Sequence, residues 1–120
     1  MDLAQVMKAL AHENRLRILN LLYRQSLCVC ELKNIMGINQ SNASRHLRKL
    51  AKANIINQSR DGRWIYYSID QNIYSKYSFL KLLFNDFSNE KALEFDLENL
   101  KTYQESDLEC SQLEEATIFN

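Results

Sequence analysis

The stretch Gly37-Ile38-Asn39-Gln40-Ser41-Asn42-Ala43-Ser44-Arg45-His46-Leu47-Arg48-Lys49-Leu50-Ala51 decides how this chain folds. Asn39 suits a helix N-terminus, because its side-chain oxygen can accept from the unpaired first-turn amides. Behind it, Ala43, Leu47, Leu50 and Ala51 recur at helical spacing and form one apolar face. Ser41, Asn42, Ser44, Arg45, Arg48 and Lys49 then occupy the other faces. Upstream, residues 28–36 read as a short helix that stops at Gly37, the residue best suited to follow a helix. A short helix, a turn with Gly, and a polar, basic helix make a helix-turn-helix.

Working outward, the character changes after residue 54. Residues 55–60 and 63–69 are β-branched and aromatic runs, and Asp61-Gly62 stands between them. Asp-Gly is a strong hairpin signal, since Gly takes positive φ without steric cost. A two-stranded wing is predicted. On the other side, Leu3, Val6, Met7 and Leu10 mark a first helix; Leu16, Leu19, Leu22 and Tyr23 mark a second after His12. From Ile73 the period is helical again through Phe87, with Tyr74, Phe79 and Leu82 making it apolar on nearly every side. Such a helix must be buried, most economically against a second copy of the chain, with a central place in the chain's own core as the alternative. Leu93, Leu97 and Leu100 predict a further helix, and the acidic stretch after Glu105 is assigned no structure. The expected organisation is a mainly α, winged helix-turn-helix unit with its dimerisation helix over 1–87, then a C-terminal helix and acidic tail over 88–120.

The net charge is zero, yet it is unevenly spread. Residues 1–69 carry eleven Lys and Arg against four acids, and residues 70–120 reverse the balance. A basic first half predicts a polyanionic partner. No apolar run reaches the ~18 residues of a membrane span. The N-terminal Met-Asp-Leu-Ala-Gln has an acid where a secretory leader would be basic, so a cytoplasmic location is expected. No nucleophile motif, phosphate loop or acid–base pair supports catalysis.

Three cysteines, Cys28, Cys30 and Cys110, do not suggest a disulfide framework in such a chain. Cys28 and Cys30 lie one residue apart, which fits either thiol chemistry or small buried side chains. On a helix those two positions are about 200° apart, so holding one ion with both sulfurs would distort the start of the helix. His12 reads as a helix-start residue and His46 as a helix-surface one.

Four words of the sequence carry a resemblance: Leu-Ala-His-Glu-Asn-Arg-Leu-Arg-Ile-Leu (10–19), Leu-Cys-Val-Cys-Glu-Leu (27–32), Gln-Ser-Asn-Ala-Ser-Arg-His-Leu (40–47) and Asp-Gly-Arg-Trp-Ile-Tyr-Tyr (61–67). Over residues 3–87 the chain resembles the ArsR/SmtB family of winged-helix metal-sensing repressors. The second word looks most like the arsenic- and antimony-responsive branch. The resemblance implies a homodimer that binds double-stranded operator DNA and leaves it when trivalent arsenic or antimony binds Cys28 and Cys30. Pyramidal arsenic takes three soft ligands, and the third could be Cys110, a small thiol or water. The acidic neighbours Glu105, Asp107, Glu109, Glu114 and Glu115 should raise the Cys110 thiol pKa, so a modest contribution is expected of it. Lys33 stands where related repressors often carry a third cysteine. Residues 70–104 lack the histidine that a zinc site on the dimer helix would use. A cadmium or lead sensor and a thiol-redox or persulfide sensor of the same fold are the alternatives. Gln40, Ser41, Asn42, Ser44, Arg45 and His46 are the expected major-groove residues. Arg48, Lys49, Arg60 and Arg63 are the expected phosphate contacts.

Overall fold

The computed structural model describes residues 2–113 and 118–119. Helices α1 (Asp2–Leu10) and α2 (Glu13–Leu22) are separated by His12, whose extended backbone and Nδ1 cap α2 by accepting from the Asn14 amide. A two-residue strand β1 (Leu27–Cys28) leads into α3 (Val29–Met36), and α4 (Gln40–Lys52) follows. Gly37 ends α3 in the left-handed conformation, φ 70°, which an L side chain would resist. Its amide returns to the Lys33 carbonyl, 2.9 Å away.

The wing is β2 (Ile56–Asp61) and β3 (Trp64–Ile69), antiparallel, with Asp61 opposite Trp64. The loop is therefore Gly62-Arg63, with positive φ falling on Gly62. The sheet has three strands rather than the two expected: β1 adds to β3, pairing Leu27 with Tyr67 and Cys28 with Tyr66. Two residues are too short to show a period, so this strand left no mark in the sequence. The same pairing corrects the start of α3. Cys28 is not helical; it is the extended N-cap, φ −90° and ψ 170°.

The expected continuous helix from 73 to 87 is broken. It becomes α5 (Asn72–Lys76), α6 (Phe79–Asn85) and a 3-10 turn over Asp86–Asn89, with the bend at Tyr77. The bend lets Tyr74, Tyr77 and Leu83 pack against the core while Leu80, Phe84 and Phe87 enter it. A straight helix apolar on every side could not seat all of these on one small domain. Phe79 and Leu82 stay outside, the latter 69% exposed. Helix α7 (Lys91–Glu105) sends Leu93 and Leu100 into the same core as α2, α3 and α4. The tail left unassigned after Glu105 folds back as α8 (Cys110–Leu113), which packs on α3. The architecture is a winged helix-turn-helix. Among the described residues no helix is long and apolar enough to cross a membrane.

Candidate nucleic-acid interface and thiol site

Helix α4 stands on its cap. Asn39 Oδ1 accepts from the Asn42 amide at 2.8 Å and from the Ser41 hydroxyl at 3.1 Å. Ala43, Leu47 and Leu50 bury the inner face. Gln40, Ser41, Arg45, Arg48 and Lys49 are exposed, while Asn42 and Ser44 are half-buried. Arg45 donates to Asn42 Oδ1 at 2.8 Å, which holds its guanidinium along the first turn. Arg60 and Arg63 are exposed on the wing, and Arg63 lies over the Trp64 ring, 5.0 Å from its centroid.

His46 departs from expectation. The sequence predicts a surface residue, and the structure turns it inward, 2% exposed. Its ring packs on that of His12, centroids 4.4 Å apart, and Nδ1 meets the Arg15 Nη1 at 3.2 Å. An arginine can only donate, so Nδ1 accepts and the proton sits on Nε2, which has no partner. Burial, followed by the charges of His12, Arg15, Arg45 and Lys49, lowers the His46 pKa to about 4. A neutral, buried ring packs on the inner face of α4.

The thiol site lies where β1 becomes α3. Cys28 is 3% exposed, and Glu31 closes its cap by accepting from the Cys28 amide at 2.9 Å. Burial pushes the Cys28 thiol pKa up to about 11, and the Glu31 carboxylate adds to that rise. Cys30 stands in the first turn of α3 and is bonded to Cys110 as a disulfide. Cys110 Sγ also lies 3.6 Å from Cys28 Sγ, so all three sulfurs meet at one point. This corrects the reading of Cys110 as part of an unstructured acidic tail: it is buried against α3. With two sulfurs bonded to each other, no group of three Cys, His, Asp or Glu among the described residues is arranged to hold a metal ion. The sulfurs border an open cavity of 450 Å³ whose other walls include Gln40 at the start of α4 and Arg63 and Trp64 of the wing.

A stripe of polar residues on α7 holds this region and was not foreseen. Asp96, fully buried, takes a bidentate pair of 2.8 Å hydrogen bonds from Arg17, which also donates to the Met36 carbonyl at 2.9 Å. Asn99 donates to the Ile35 carbonyl at 3.0 Å, and the Tyr103 hydroxyl donates to Glu31. Positions 96, 99 and 103 share one helical face, and that spacing was the available signal. Glu31 three residues after Cys28 has capping-box spacing, with cysteine in the place of serine.

Residues 12–58 match the family described as "Bacterial regulatory protein, arsR family". Among curated proteins, the chain is 39% identical over 69 residues to the arsenic resistance transcriptional regulator ArsR1 of Pseudomonas putida, covering 57% of this chain and 54% of that one. It is 39% identical over 71 residues to a cadmium resistance regulator, a CadC homolog of Staphylococcus aureus, covering 58% and 59%. To the transcriptional repressor PagR of Bacillus anthracis it is 39% identical over 70 residues, covering 58% and 70%. The chain thus spans little more than half the length of the arsenic and cadmium relatives. Among solved structures, the PagR crystal structure superposes with a TM-score of 0.57 at 35% identity, covering 68% of this chain and 92% of that one. The homodimeric winged helix-turn-helix DNA-binding domain of Mb0332 from Mycobacterium bovis gives 0.61 at 28% identity, covering 72% and 81%. With PagR matched over more than two thirds of its length and the family's pattern lying on α2 to β2, this chain belongs to the arsR family of bacterial regulatory proteins.

Proposed function

We propose that this chain is a homodimeric transcriptional repressor that leaves its operator when trivalent arsenic or antimony binds through Cys28 and Cys30. One observation carries the reading: the two cysteines sit at the joint between the wing and the helix-turn-helix. Cys28 is paired with Tyr66 of β3 and caps α3, and Cys30 is in the first turn of α3. A ligand drawing both sulfurs to itself acts on the wing and on α3 at once. That replaces the distortion within a helix expected from the sequence. Soft thiolates select thiophilic ions, and relatives of this chain carry names of both arsenic and cadmium resistance regulators.

In DNA, α4 enters the major groove with Gln40, Ser41, Asn42, Ser44 and Arg45 toward base edges. Arg48, Lys49, Arg60 and Arg63 hold phosphates. The second copy covers the apolar positions left open on α1 and α6: Leu3, Met7, Phe79 and Leu82. The winged helix-turn-helix DNA-binding domain of Mb0332 from Mycobacterium bovis is likewise homodimeric.

The disulfide between Cys30 and Cys110 favours a second reading, a thiol-redox sensor working through the same sulfurs. Parallel titration of operator-bound, reduced protein with arsenite, antimonite, cadmium, zinc and peroxide separates the two. Release at the lowest concentration of arsenite or antimonite is expected. Release by peroxide alone would overturn the metalloid reading, and release by cadmium first would move the chain to the cadmium and lead sensors.

A further inference from the structure

We infer that Cys110 is the third ligand of the inducer site, delivered to Cys28 and Cys30 by α7 and α8, so that a trivalent, three-coordinate metalloid is held entirely by this chain's sulfurs. The inference rests on the proposed role of Cys28 and Cys30 and goes beyond the helix-turn-helix that the family match covers.

Geometry supports it first. Two sulfurs bound to one ion at about 2.3 Å and a tetrahedral angle stand about 3.8 Å apart. Cys28 and Cys110 already stand at 3.6 Å, and Cys30 shares a bond with Cys110. No other soft side chain of the described residues borders the cavity these sulfurs share.

The route by which Cys110 arrives supports it second. The polar stripe of α7 follows α3: Asp96 reaches the Met36 carbonyl through Arg17 of α2, while Asn99 and Tyr103 bond Ile35 and Glu31 directly. Asp96, Asn99 and Tyr103 thereby walk the chain from the end of α3 back to its start. Seven residues after Tyr103, Cys110 lands on the two thiols, and Leu113 is buried beyond it. A core filler needs no such strap. A ligand does, because affinity for an ion rises with the effective concentration of each added donor.

The chemistry balances in two steps. Two equivalents of a small thiol break the Cys30–Cys110 bond; the protein sulfurs take up two protons and the small thiols leave as their own disulfide. Arsenous acid then exchanges three As–O bonds for three As–S bonds. The three thiol protons leave with the three hydroxyls as water, and arsenic stays trivalent.

The test uses the full chain, reduced with a phosphine, and two probes of different valence. Arsenite can accept three thiolates; phenylarsine oxide can accept only two. Binding is followed by Trp64 fluorescence, since the chain's single Trp lines the same cavity, and by the mass of the adduct. Cys110→Ser is expected to weaken arsenite binding about a hundredfold, as expected for loss of a tethered donor, and to retain phenylarsine oxide binding through Cys28 and Cys30. The wild-type arsenite adduct should carry no hydroxyl and the Cys110→Ser adduct one. Equal arsenite affinity in the two proteins, or a hydroxyl retained on the wild-type adduct, would overturn the inference. The wild-type adduct decides the matter even if Cys110→Ser fails to fold. Reduced wild type that binds neither probe would instead overturn the reading of Cys28 and Cys30 on which this rests.

Discussion

Cys28 lies directly across the sheet from Tyr66, which ties the first thiol of the Cys-Val-Cys word to the central strand of the wing. In antiparallel sheets such partners move together, because each cross-strand pair is held by its ladder and its side-chain contact. A pull on Cys28 is therefore a pull on the strand that begins at Trp64, next to Arg63 of the wing turn. Cys28→Ser and Cys30→Ser should each keep operator binding within about threefold, since serine is close in size to cysteine and is itself a favoured helix N-cap at position 28. Both should abolish release by arsenite in a mobility-shift titration. A variant that still dissociates at wild-type arsenite concentration would break the chelation mechanism.

His46 makes stability depend on pH. The unfolded ring takes a proton near the ordinary value of 6.5 and the folded ring only near 4. Below pH 6.5 the unfolded state binds more protons, so stability is complete above that pH and lost on acidification toward 4. The slope is about 1.4 kcal/mol per pH unit, so roughly 2 kcal/mol should disappear by pH 5. Denaturant unfolding at pH 7 and pH 5 of wild type and His46→Leu checks this. The variant should lose that part of the pH dependence.

Asp96 and Arg17 form an ion pair with its carboxylate fully buried. Burial raises the Asp96 pKa, and the Arg17 guanidinium opposes the rise. Asp96→Asn leaves a guanidinium facing a neutral amide, and breaking a buried pair from one side costs about 3–5 kcal/mol. The midpoint of urea unfolding should fall accordingly. Because Arg17 also holds the Met36 carbonyl at the turn before α4, operator affinity should fall as well.

Arg63 is exposed beside the wing turn. Arg63→Ala should weaken binding to specific and random DNA alike, and lower the salt slope by about 0.9 per lost phosphate contact. A change confined to the cognate sequence would make Arg63 a base reader instead.

Leu82 is the most exposed of the large apolar side chains in the described residues. In the proposed dimer it is covered, so Leu82→Glu should shift the chain toward monomer at micromolar concentration in light scattering. An unchanged mass would place the interface elsewhere.

Much of this architecture could be read from sequence because its causes are local. Asn39 caps, Gly37 and Gly62 turn, and the β-branched and aromatic run from 63 to 69 extends as a strand; each depends on neighbours a few residues away. The exposed polar residues of α4 followed from the period of Ala43, Leu47 and Leu50 in the same way. Tertiary structure decided what depends on distant partners. His46 turned inward because His12 and Arg15, some thirty residues earlier, make a place for it. Strand β1 exists because β3 offers an edge, and two residues alone cannot announce a strand. Cys110 left the tail for the core because Asn99 and Tyr103 bind α3, and Asp96 is tied to it through Arg17 of α2, and together they steer it there. No periodicity within the last sixteen residues encodes that placement, since the groups that fix it lie on α7 and on the far side of α3.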